Sequence, residues 1–293
     1  MYCMSTALSV YICVNLYKFF SDNFMHNNQY EQQYKQQVID FFNSRTSYDN
    51  DYTIRRTLPL LELVKLKKGQ KVLDIATGTG IIAIPIAQIV GCEGKVIGVD
   101  FSSGMLEQAQ RKIDELGLQN IELIAADAEY INFDDESFDV ILCSTAIVYF
   151  IDISAALHKW YRFLKQGGIV GFSACSQESC EAPLIIEVCA KHGISLTNIN
   201  EPTGTPQRCQ NLLREAGFKD IQVKSEQFGF YRSLEKAQEW NGGWFHPREN
   251  PLLQVSAEQM QKLQVEYRQQ IEAMATEQGV WYENLTIFAT GRK

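Results

Sequence analysis

The 293-residue sequence predicts an α/β fold in which a mostly parallel sheet is covered by helices on both faces. Two observations carry this. Between Lys71 and Ser173, strand-like apolar runs alternate with stretches of helical spacing, the order of a parallel sheet with crossover helices. Each run is almost continuously Val, Ile or Leu, as expected of strands buried on both sides.

Before the first strand, residues 31–42 have helical spacing with Val38, Phe41 and Phe42 on one side. A second helix is expected over about 52–64, carrying Leu58, Leu61 and Leu63, followed by the turn LKKGQ at 66–70. The strands are Lys71–Ile75, Lys95–Asp100, Ile121–Ala125, Phe138–Ser144 and Ile169–Ser173. Helices over about 80–90 and 104–116 follow the first two strands. A helix over 153–164, ended by Gly167-Gly168, follows the fourth. Further on, helices are expected over 183–191 and 206–216, with strands at Ile221–Ser225 and Leu285–Thr290. Between those strands lies a long insertion, 226–282, with two helical parts. Four parts result: a mobile tail (1–30), N-terminal helices covering the site (31–66), a cofactor-binding core (67–173), and the end of the sheet with cap insertions at 174–216 and 226–282.

Composition narrows the function. The net charge of −8 speaks against a nucleic-acid binder, which needs clustered Lys and Arg. No segment reaches the roughly 18 apolar residues of a membrane span. Ser5–Phe20 is apolar, but it has neither a preceding positive charge nor a following cleavage site, and Met25 opens a polar stretch that could hold the natural start. The eight cysteines (3, 13, 92, 143, 175, 180, 189 and 209) include no C-x-x-C, and no metal set emerges from them; reduced thiols in a cytoplasmic protein are expected.

The informative stretch is VLDIATGTG (72–80): a strand, a tight glycine turn, then a helix. Gly78-x-Gly80-x-x-Ala83 with Asp100 twenty residues past Gly80 satisfies the dinucleotide fingerprint, and on its own it permits any nucleotide-type ligand. Charge is more selective. Asp74 faces whatever the turn cradles and would repel a pyrophosphate there. Asp100, ending the second strand, is placed for two ribose hydroxyls, and Asp127, past the third, for an adenine amino group. Three carboxylates after three strands suit S-adenosyl-L-methionine, which carries an ammonium and a sulfonium and no phosphate.

With VLDIATGTG, VIGVDFSSGML, AADAEYINFDDESFDVILCSTA and FLKQGGIVGFS in order over about 70–173, the chain resembles the class I S-adenosylmethionine-dependent methyltransferases, in the small-molecule branch similar to ubiquinone and menaquinone biosynthesis methyltransferases. The resemblance implies a Rossmann-like, doubly wound, seven-stranded sheet with an antiparallel last strand and a helical cap. It also implies that Asp74, Ala76, Thr77, Gly78 and Gly80 line the methionine part of the cofactor and that Asp100 binds the ribose. Phe101 and Met105 would flank the adenine, Asp127 and Ala128 read its edge, and the backbone near Ser144 meet the amino group. Ala76 replaces the first glycine of D-x-G-x-G-x-G, from which tighter packing is expected rather than lost binding.

Methyl transfer from a sulfonium is an in-line displacement in which alignment and exclusion of water supply much of the rate, so no indispensable catalytic residue is expected and none is assigned. Of the histidines, His26 lies in the tail, and His158 and His192 read as structural. His246, in WNGGWFHP (240–247), is a substrate-pocket candidate together with Trp244. Phe228, Phe230, Tyr231, Trp240, Phe245, Trp281 and Tyr282 crowd the same late region and favour an apolar or aromatic acceptor, although some must build the cap's own core. Tyr48 and Arg55 or Arg56 are placed to close over the cofactor carboxylate. The partner is a small molecule, and the oligomeric state is open. Two other readings stand beside this one: an NAD-dependent oxidoreductase, resting on the glycine pattern alone, and a non-catalytic adenosyl-binding protein of the same fold.

Overall fold

The computed structural model describes residues 29–46, 48–179, 181–240 and 246–293. Residues 1–28 of the expected tail, the alternative start at Met25, His26, Cys3, Cys13, Cys180, Trp244 and Phe245 lie outside them. Residues 29 and 30, assigned above to the tail, belong to helix α1 (29–43).

The chain continues as α2 (Asp51–Val64), β1 (Lys71–Ile75), α3 (Ala83–Val90), β2 (Lys95–Asp100), α4 (Ser103–Leu116), β3 (Ile121–Ala125) and β4 (Phe138–Ser144). Next come α5 (Ile153–Phe163), β5 (Leu164–Cys175), α6 (Ala182–Lys191), α7 (Pro206–Glu215) and β6 (Lys219–Gln227). It closes with β7 (Phe230–Arg232), α8 (Leu234–Ala237), α9 (Ala257–Ala273), β8 (Val280–Tyr282) and β9 (Leu285–Arg292). Seven strands form one sheet in the order β3-β2-β1-β4-β5-β9-β6. β1 pairs in parallel with both β2 and β4, β2 with β3 and β4 with β5, whereas β9 runs antiparallel between β5 and β6. The order reverses at β1/β4, and in such sheets ligands bind outside the carboxyl ends of the strands at that switch point.

Period-two alternation divides the strands between two cores. On one face Val72, Val140, Leu142 and Phe288 pack against Leu60 and Val64 of α2 and Ile86 and Val90 of α3. On the other, Leu73, Ile75, Ile141 and Phe172 pack against Trp160 and Phe163 of α5 and Leu213 of α7. α2 lies close because β5 offers Gly171 beneath it: a Cβ there would stand 3.2 Å from both Leu60 and Val64.

Several features differ from expectation. α3 begins at Ala83 rather than near Gly80, because Gly80 sits at φ +77, outside the helical region. α5 ends at Phe163, and Gly167-Gly168 lies inside β5 as an irregularity in its pairing with β4 instead of capping the helix. The late insertion holds, besides its helices, the antiparallel pair β7–β8, whose three-residue strands are too short to show a period. α6, α8 and α9 share a third core containing Ile185, Val188, Trp240, Leu263 and Tyr267, with the Tyr267 hydroxyl donating to Ala237 O at 3.1 Å.

Leu60→Ala, which empties the seat of α2 on the sheet, should lower the unfolding free energy by about 2–5 kcal/mol in urea titration.

Candidate active site

Residues 76–80 leave the end of β1 in a turn with three left-handed positions, Ala76 (φ +53), Gly78 (φ +55) and Gly80 (φ +77). Glycine takes this region freely; alanine does so at a cost of roughly 1–2 kcal/mol. Ala76 therefore has a backbone consequence that the sequence did not show. The turn is held against its neighbour strand by Thr77 N–H, donating to Val99 O at 3.0 Å, and by Gly98 of β2, where a Cβ would stand 2.9 Å from Thr77 Oγ1.

Asp74, 2% exposed, points up beneath the turn and accepts from Thr77 Oγ1 at 2.6 Å. Asp100, 7% exposed, accepts from Gly78 N–H and from Ser102 N–H, each at 2.8 Å. Burial pushes the Asp74 carboxyl up to about 7, the nearby Asp100 charge adding to it and the bonds from Thr77 and the Ala83 N–H opposing it. Burial likewise raises Asp100, against the opposing influence of the Ser102, Gly78 and Phe101 backbone N–H groups. Asp127 accepts from Glu129 N–H at 2.9 Å and from Lys35 Nζ of α1 at 2.6 Å. Lys35 also reaches Glu129 at 3.0 Å and lies 4.4 Å from the centre of the Tyr130 ring. Burial alone would lower its pKa, but the bonds and charges of Asp127 and Glu129 outweigh that and raise it.

These groups border one cavity of about 940 Å³, counted with its open mouth. Asp74, Ala76, Thr77, Gly78, Asp100, Phe101, Met105, Asp127, Ala128 and Ser144 all line it; of the cofactor candidates, Gly80 does not. Gly80 closes the turn from behind, its N–H donating to Thr77 O at 2.9 Å. At the β4 end, Ser144 Oγ lies 3.3 Å from Ser173 Oγ, and Thr145 takes a left-handed φ of +53 with its N–H on Ser173 Oγ.

The residues expected to close over the cofactor carboxylate and those expected to meet the acceptor fare differently. Tyr48 lines the cavity, while Arg55 is exposed and Arg56 turns to Tyr52 and Cys175. His246 is buried but is not among the lining residues: Arg248 N–H donates to its Nδ1 at 3.3 Å, and its carbonyl accepts from Tyr30 Oη at 2.9 Å. Burial holds its pKa below the usual histidine value. His158 is exposed and bonded to Ser154 O, and His192 pairs with Glu266 at 2.6 Å, as structural residues do. None of Phe228, Phe230, Tyr231, Trp240, Trp281 and Tyr282 lines the cavity; Trp240 serves the cap core, and Phe230 packs on Tyr282 and Tyr52. The aromatic wall is instead Phe42, Tyr48, Phe101, Tyr149 and Phe150. Phe42 makes edge contacts with Tyr149 at 5.6 Å and with Tyr48 at 6.3 Å. Sequence reasoning missed Lys35, Thr79 and Tyr149 here. The spacing of Lys35, Val38 and Phe42 along α1 was the available signal for the first.

Residues 30–185, just over half of the chain, match the ubiE/COQ5 methyltransferase family. The chain belongs to that family. It is an S-adenosylmethionine-dependent methyltransferase. The methyltransferase is 33% identical to aklanonic acid methyltransferase DauC of Streptomyces sp. (strain C5) over 148 residues, 49% of this chain and 67% of that one. It is 32% identical to demethylmenaquinone methyltransferase of Geobacillus sp. (strain WCH70) over 186 residues, 58% and 79% of the two chains. Among solved structures, Haemonchus contortus phosphoethanolamine N-methyltransferase 2, in complex with phosphomonomethylethanolamine and S-adenosylhomocysteine, superposes with a TM-score of 0.54 at 21% identity, covering 86% of this chain and 59% of that one. This last likeness is one of fold.

An unfolded aspartate loses its proton near 3.9. Between there and about 7, therefore, the folded methyltransferase keeps a proton on Asp74 that the unfolded chain has released, and stability falls as pH rises through that window. Asp74→Asn should flatten this slope between pH 5 and 8, by on the order of a few kcal/mol, when urea unfolding is compared at the two pH values. Ala76→Gly should raise stability by about 0.5–1 kcal/mol, the relief of strain exceeding the added freedom of the unfolded chain.

Proposed function

We propose that the cavity holds S-adenosyl-L-methionine across the three loops that follow β1, β2 and β3. Its methionine part lies against Asp74, Ala76, Thr77, Gly78 and the Ser144 backbone, its ribose on Asp100, and its adenine between Phe101 and Met105 with its edge toward Asp127 and Ala128. The observation that carries this reading is the charge of the lining. Asp74 and Asp100 are buried together at the floor, and the one cationic side chain among the described lining residues, Lys35, is already committed to Asp127 and Glu129. Such an acceptor set fits an ammonium and a sulfonium and leaves a pyrophosphate uncompensated.

The bound cofactor supplies an activated methyl group. What the chain adds is placement. Asp100, fixed by two backbone N–H groups, presents rigid acceptors for ribose. Asp74 holds the turn that sets the depth of the methionine part. The ring wall of Phe42, Tyr48 and Tyr149 keeps water from the transfer path and offers flat apolar surface to the acceptor. We take the acceptor to be a small ring-bearing, quinone-like or secondary metabolite, and the setting to be cytoplasmic. The wall's chemistry, the demethylmenaquinone and aklanonic acid methyltransferase relatives and the scattered cysteines support this. No histidine lies among the described lining residues, which accords with rate enhancement by alignment rather than by a histidine base.

Calorimetric titration should give micromolar binding of S-adenosylmethionine and S-adenosylhomocysteine and none of NAD. Asp100→Ala should weaken the adenosyl ligands by about 100-fold, as expected for the loss of two hydrogen bonds to a charged group. Binding of NAD in their place would overturn the reading. Tyr149→Ala should raise the KM of a quinone-type acceptor while leaving that of the cofactor within about twofold, the loss being confined to acceptor-side packing.

A further inference from the structure

The middle of the glycine turn is gripped by carboxylates at three successive residues. Thr77 Oγ1 donates to Asp74, Gly78 N–H to Asp100, and Thr79 Oγ1 to Asp49 Oδ1. The first two acceptors end the strands β1 and β2 and belong to the motif. The third comes from outside it, from the connection between α1 and α2, thirty residues away in sequence. Thr79 is 1% exposed and lines the cavity. The other oxygen of Asp49 pairs with Lys112 on α4, so a single carboxylate ties the turn after β1 to the helix after β2.

The neighbourhood gives this tie a purpose. The turn carries alanine at a left-handed position, which favours other backbone conformations unless its surroundings over-determine it. Asp74 holds the turn from beneath and Asp100 from the side; Asp49 reaches it from the N-terminal segment. That segment is anchored nearby by a second side chain, since Asn43 Oδ1 accepts from Ser102 Oγ at 2.8 Å and from Gly104 N–H at 3.0 Å. On the cavity side α1 contributes Lys35, Val38 and Phe42.

We propose that Asp49 is a positioning residue for the cofactor: through Thr79 it holds the glycine turn in its binding geometry, and through Lys112 it fixes the turn's distance from α4. The inference rests on the cofactor reading above and adds to it a residue outside the family motif. It makes the segment between α1 and α2 part of the cofactor site, not only a cover for it.

The test is calorimetric binding of S-adenosylhomocysteine to the full chain, with melting temperatures of the ligand-free proteins measured in parallel. Asp49→Ala and the near-isosteric Thr79→Val should each weaken binding about tenfold, as expected for the loss of a hydrogen bond to a charged group, and the double variant should be no weaker than the worse single one. Asp49→Asn, which keeps an oxygen for Thr79, should recover most of the affinity. A merely structural role would show instead as a fall in melting temperature with unchanged affinity. That result overturns the proposal, as do additive losses in the double variant or Thr79→Val binding like the wild type. If the wild type itself binds no adenosyl ligand, the cofactor reading falls and this inference falls with it; wild-type binding with indifferent variants removes the inference alone.

Discussion

The burial of two aspartates beneath one left-handed turn is the constraint on which the site depends. Asp74 and Asp100 end adjacent parallel strands whose register sets Asp74 beside Gly98, two residues before Asp100. The sheet thus forces two carboxylates together at its switch point. They are sustained there by donors from the turn, Thr77 Oγ1 for one and Gly78 N–H for the other. The same bonds work in the other direction: a turn that begins with alanine at positive φ keeps its shape because both carboxylates are anchored to it. Gly98 completes the unit, since any side chain at that point of β2 would displace Thr77.

Electrostatics follow from that geometry. Each carboxyl is raised by burial, and Asp100 raises Asp74 further, so the ligand-free site holds charge reluctantly. A ligand bearing positive charge relieves this and a phosphate aggravates it. The fold alone would accommodate either class, and the side chains at the strand ends distinguish them. Lys35 fits the same logic: it lies at the β3 end of the cavity, where Asp127 and Glu129 neutralise it, and leaves the floor acidic.

Much of this was legible in the sequence where a local pattern carries the information. Buried parallel strands announce themselves by unbroken Val and Ile, and the turn by its glycines, so the sheet and ten of the eleven cofactor candidates fall together on one cavity. Gly80 departs because its role is conformational and its neighbours are behind the turn, toward Ile84. What long-range packing decides was not legible. Lys35 meets Asp127 across 92 residues, and its spacing with Val38 and Phe42 gives it a face of α1 but not a partner. The late aromatics misled for a related reason: composition shows that rings are present but not which surface they face, and Trp240 and Phe230 satisfy the cap core and the β7–β8 pair. His246 likewise is buried, bonded to Tyr30 and Arg248, and is not among the described residues that line the cavity.

The central claim, that three strand-end carboxylates receive an adenosyl ligand, is tested most directly by a crystal structure of the full chain grown with S-adenosylhomocysteine. The account predicts the ligand in the cavity between the glycine turn and α1, with both ribose hydroxyls within hydrogen-bond distance of the Asp100 carboxylate and the adenine edge toward Asp127. An adenosyl group bound outside this cavity, or inside it with the ribose away from Asp100, would contradict it.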